Sequence, residues 1–140
     1  MLKQSITAVL LLFSFTTFLP HSVAAQSVQR FKINVPFSFV LNDKTLPPGR
    51  YVIERTDPGR PNIVTLRNAQ GNSVRLALTQ RVERAEPSTS ASLVFIRREG
   101  KHYLFQIWND GAMSGNEIPF APDTETAGRQ HTLVMLRARR

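Results

Sequence analysis

The sequence predicts an all-β fold: a single antiparallel β-sandwich of about seven strands, with a closed barrel as the alternative. Three observations predict it. Seven short segments with alternating or β-branched apolar residues are separated by clusters of Pro, Gly, Asn and Asp. No segment after residue 26 carries the 3.6-residue apolar period of an amphipathic helix. The stretch Phe31-Ile33-Val35-Phe37-Phe39 puts five apolar side chains, three of them Phe, on one face of an extended chain, and such a face requires a second apolar layer.

Residues 1–25 stand apart from this domain. Lys3 precedes the apolar run Ile6 to Leu19, Pro20-His21 breaks it, and Val23-Ala24-Ala25 places small residues where a signal peptidase cuts. The expectation is a secretory signal peptide, leaving a β-sandwich domain of residues 26–140 in the periplasm or outside the cell. The run of 14 residues is short for a bilayer span, and no transmembrane segment is expected in the mature chain. The absence of cysteine removes disulfides, lipid attachment through Cys and thiol chemistry.

The strands follow in order. Leu46-Pro47-Pro48-Gly49 is expected to turn the Phe-rich strand back into Tyr51-Val52-Ile53, with Gly49 supplying the positive φ of a type II turn. Asp57-Pro58-Gly59-Arg60-Pro61 is a dense turn signal before the strand Ile63–Leu66. Val74, Leu76 and Leu78 alternate with Arg75, Ala77 and Thr79, which predicts a half-buried strand with one polar face, that of Arg75, Ala77 and Thr79. Residues 83–91 read as a long exposed loop, and 113–128 as irregular chain; either could act as a lid. Leu93–Ile96 and His102–Trp108 form a hairpin around Glu99-Gly100, and Thr132–Leu136 is the last strand.

Two blocks of these residues resemble a known family. Val35-Pro36-Phe37-Ser38-Phe39-Val40, followed by Lys44-Thr45-Leu46-Pro47-Pro48-Gly49-Arg50-Tyr51-Val52-Ile53-Glu54, is similar to the VPFxF…LPxGxY strand–turn–strand opening of small secreted bacterial proteins of the Acidobacteria type. Leu93-Val94-Phe95 and His102 to Trp108 resemble that family's second block. Members tend to end in a charged tail, whereas this chain has the apolar run Thr132–Leu136. The resemblance implies export and a small β domain, and transfers no catalytic residue.

Composition narrows the function classes. The chain has 18 Lys+Arg against 10 Asp+Glu; without Lys3 the mature chain keeps 17, of which 14 are Arg, for a net charge of +7. Arg favours phosphate and carboxylate groups, yet the basic residues are spread along the chain. Arg67, Arg75 and Arg81 could line one polar face, but the aromatics sit at core-period positions, which argues against nucleic acid as a partner. Gly111-Ala112-Met113-Ser114-Gly115 lacks the spacing of a nucleophile elbow. His102, His131 and Asp110 lack metal-ligand spacing, and no cofactor is called for.

The best candidate surface is the 92–108 hairpin. A two-residue turn at Glu99-Gly100 pairs Arg98 with Lys101, Arg97 with His102, Ile96 with Tyr103, Phe95 with Leu104 and Val94 with Phe105. One face, Val94, Ile96, Tyr103, Phe105 and Ile107, reads as core. The other holds Leu93, Phe95, Leu104 and Trp108 among Arg97, His102 and Gln106, so Phe95, Arg97, His102, Leu104, Gln106 and Trp108 are the candidate ligand-binding residues. The expected function is a non-catalytic envelope or extracellular binding module for a protein or an envelope glycan. One alternative is a structural or assembly protein that offers Thr132–Leu136 as an edge strand, abolished by Val134→Pro. The other is a small hydrolase or metal-dependent enzyme.

Overall fold

The computed structural model describes residues 29–55, 57, 59–70, 74–119 and 132–139. The expected signal peptide and His131 lie outside the described residues. The described chain is all strand and turn: β1 (Arg30–Val35), β2 (Phe39–Leu41), β3 (Lys44–Leu46), β4 (Gly49–Glu54), β5 (Ile63–Asn68), β6 (Val74–Leu78), β7 (Gln80–Glu83), β8 (Ser92–Arg98), β9 (Lys101–Trp108), β10 (Ser114–Glu117) and β11 (Thr132–Arg137). They form a sandwich. One sheet has the order β1-β4-β5-β6; the other has the order β11-β8-β9-β10-β7, with β2 added parallel to β9 and β3 paired to β2. Ile33, Val35, Phe39, Leu41, Tyr51, Ile53, Val64, Leu66, Leu93, Phe95, Leu104 and Ile107 fill the single core between them.

The Phe-rich stretch supplies the core as expected, but from two strands in different sheets. Pro36 has no N–H to give a ladder, so β1 stops at Val35 and the chain crosses over through Phe37 to β2. Phe39 then meets Tyr51 and Phe95 edge to face, with ring centroids 5.3 and 5.4 Å apart. The return pairing to β4 is present, Phe31 opposite Ile53 and Ile33 opposite Tyr51, and β1 lies at the sheet's edge. The tight turn lies at Asn42-Asp43, whose φ values of 48° and 60° suit a two-residue hairpin loop between Leu41 and Lys44. Pro47-Pro48 leads directly into β4, where Tyr51 anchors it by donating its hydroxyl to Pro47 C=O at 2.6 Å.

Two faces are the reverse of the expectation. In β6 the small Ala77 points inward and is fully buried, while Leu76 and Leu78 are 60% and 53% exposed. Alternation divides a strand into two faces, and the register that sets Ala77 opposite core Val64 and Leu76 opposite Thr65 decides which face is inward. In the β8–β9 hairpin, Glu99-Gly100 turns the chain and the first four pairs hold as expected. A bulge then leaves Phe105 unpaired, so Val94 faces Gln106 and Leu93 faces Ile107. Leu93, Phe95, Leu104 and Ile107 therefore form the core side, and Val94, Ile96, Gln106 and Trp108 the outer side. The stretch expected to be irregular after Met113 contains β10, wedged between β9 and β7.

Candidate functional site

The structure divides the six candidate hairpin residues among three environments. Phe95 and Leu104 are in the core, out of reach of any ligand. Arg97 and His102 lie opposite each other on the same side as these two, at the rim, where the Phe37 ring stacks on His102 at 3.8 Å. Burial, and secondarily the Arg97 guanidinium, lower the His102 pKa below 6.5. Gln106 and Trp108 are on the opposite face. They therefore make no common surface; the bulge at Phe105, invisible to a period-2 reading, moved Gln106 and Trp108 away from the others.

Trp108 is only 3% exposed. Its ring lies over Gly115, where a Cβ would come within 2.7 Å of it, and the Arg84 guanidinium covers its other side, Cζ 3.5 Å from the ring centroid. The indole N–H donates to Gln106 Oε1 at 3.2 Å, and Gln106 Nε2 donates to Glu117 at 2.8 Å. This is a packed polar–aromatic lock. Beside it, residues 84–91 are held to the turn before β10, Ser88 N–H donating to Ala112 C=O and Gly111 N–H to Ser88 C=O. Between that loop and β11 opens a cleft of about 290 Å³ that includes Arg84, Glu86, Ser88, Ser92, Met135 and Arg137.

A larger cleft lies around the corner. The edge strands β1 and β11, one from each sheet, run along the same side of the sandwich and leave a seam of about 650 Å³. Lys32, Asn34 and Pro36 line one wall with Arg50 from β4; Leu136, Arg137 and Arg139 line the other; Ile33 forms the floor. Four of these side chains are exposed cations, and among the described residues no carboxylate lines the seam or pairs with them. Elsewhere four arginines are paired with carboxylates: Arg30 and Arg67 both reach Glu54, Arg60 reaches Asp57 and Arg81 reaches Glu83. Arg137 borders both clefts, joining them into one track with Arg84.

No protein-family model, curated protein or solved structure matches the chain. The site therefore rests on its own chemistry. Sequence reasoning passed over the seam because Lys32, Arg50, Arg137 and Arg139 are scattered along the chain; the one available signal was the basic end of the last strand. Arg67, Arg75 and Arg81 do not share a face: Arg67 sits with Glu54 on the outside of one sheet, Arg75 alternates onto the Ala77 side of β6, and Arg81 belongs to the other sheet.

Proposed function

We propose that this protein is a non-catalytic envelope or extracellular binding module whose partner, a protein or an envelope glycan, presents negative charge to the seam between β1 and β11. The observation that carries this reading is the group of four cations, none answered by a carboxylate among the described residues, around the larger cleft. Like charges lining one cleft repel one another, a cost that an anionic ligand relieves. Arg supplies three of the four, and its planar fork suits carboxylate, sulfate or phosphate groups. Export rests on residues 1–25 of the sequence, as set out above.

The test compares two double variants of equal charge change. Lys32→Glu with Arg139→Glu reverses the seam; Arg60→Glu with Arg81→Glu reverses two exposed cations of surface ion pairs. Retention on an immobilised sulfated polysaccharide at moderate salt should fall about tenfold or more for the first pair and about twofold or less for the second. Equal losses would mean that only net charge acts.

A further inference from the structure

The seam offers more than charge, and its backbone identifies the kind of ligand. Ala138 N–H donates to Ala91 C=O at 2.8 Å, continuing the register in which Leu136 faces Leu93. In an antiparallel ladder, pairs that exchange both backbone bonds alternate with pairs that exchange none. Leu136, Val134 and Thr132 therefore direct their N–H and C=O groups to β8, and Arg137, Met135 and Leu133 direct theirs to the edge that pairs with no strand among the described residues. The same reasoning applies to β1. Arg55 N–H donates to Gln29 C=O at 3.1 Å in the register of Arg30 with Glu54, so Arg30, Lys32 and Asn34 carry the outward groups. Lys32 and Asn34 on one wall and Arg137 on the other are seam residues.

We infer that the partner is an extended acidic polypeptide segment that adds as a strand to the outer edge of β11. This rests on the reading of the seam as an anion site and names its ligand class. Peptide groups at strand spacing match another polypeptide, whereas a sugar chain has no matching ladder. β11 is the better template of the two edges. Its outward positions carry Leu133 and Met135, 58% and 48% exposed, which can pack against apolar side chains on the same face of an added strand. The outward positions of β1 are Arg30, Lys32 and Asn34, and charged side chains of this kind discourage strand pairing. A strand added there runs through the seam that Lys32, Arg50 and Arg139 line. The segment that fits thus combines apolar and acidic residues.

The experiment uses the full mature chain and two probes: a peptide of about ten residues alternating Glu and Val, and a sulfated polysaccharide with no peptide edge. Met135→Pro removes an outward N–H while leaving the ladder to β8 intact, a position where an edge strand tolerates Pro. It should weaken the peptide about tenfold or more and leave the polysaccharide within about twofold. The same peptide N-methylated at alternate residues, offered to the unaltered protein, should bind as weakly, which keeps the test decisive if the Pro variant does not fold. Unchanged peptide affinity in either arm overturns strand addition. If Lys32→Glu with Arg139→Glu still weakens both probes, the anion site stands without it; if both probes are unaffected, the anion site falls as well.

Discussion

The two sides of this sandwich are built on opposite plans. On one side the chain passes from β6 to β7 through the single residue Thr79, so one edge of each sheet is covalently continuous with the other. Polar side chains stitch that corner. Buried Asn116 donates to Thr79 Oγ1 at 2.8 Å and accepts from Arg55 at 2.8 Å, while Thr79 N–H and hydroxyl both reach Asn62 C=O. On the other side β1 and β11 face each other across the seam, with cations on both walls. A buried hydrogen-bond network holds layers in one arrangement because every broken bond leaves a desolvated group. An edge lined with like charge has no such force closing it and stays accessible. The difference assigns stability to one side and recognition to the other.

The largest test of that division is Asn116→Ala. It removes the acceptor of Arg55 Nη2 and the donor to Thr79 Oγ1 in the closed corner and should cost about 1–3 kcal/mol, read as a lowered urea midpoint. A loss no greater than that of seam variants would break the comparison. Next is Gly115→Ala. Its new methyl collides with the Trp108 ring and should cost about 1–3 kcal/mol, with a change in Trp emission as the ring leaves the Arg84 stack. On the open side, replacing Lys32 and Arg139 by Ser should change stability by about 0.5 kcal/mol or less, in the stabilising direction at low salt and vanishing at high salt.

The smallest effect belongs to His102. Its pKa is lowered in the folded state, so between that value and 6.5 the unfolded chain binds more protons. Stability should therefore fall as pH drops below about 6.5 and level off once the folded-state His is protonated too. His102→Gln should flatten this segment of the pH–stability curve. An unchanged slope would assign it to other groups.

Strand periodicity and the Glu99-Gly100 turn were legible in the sequence because both are local. The turn expected at Leu46–Gly49 lies instead at Asn42-Asp43, and Gly49, at φ 158°, is nearly extended. Glu99-Gly100 set the first four hairpin pairs, and the five alternate apolar residues from Phe31 to Phe39 all reach the core. What failed was the choice of face. Leu76 and Leu78 face out because β6 sets Ala77 opposite the inward Val64, and Trp108 left the Phe95 side because one extra residue at Phe105 shifts everything beyond it. The seam was the least legible feature of all.

By itself the sequence determined an all-β chain, the Glu99-Gly100 turn and the Phe31–Phe39 share of the core, since propensity and period act over a few residues. Tertiary structure alone decided which face of β6 is buried, where the hairpin changes sides and which cations become neighbours. Lys32, Arg50, Arg137 and Arg139 share no local pattern. They meet because a break at Pro36 leaves β1 at one sheet's edge, and β11, pairing with β8, takes the matching edge of the other.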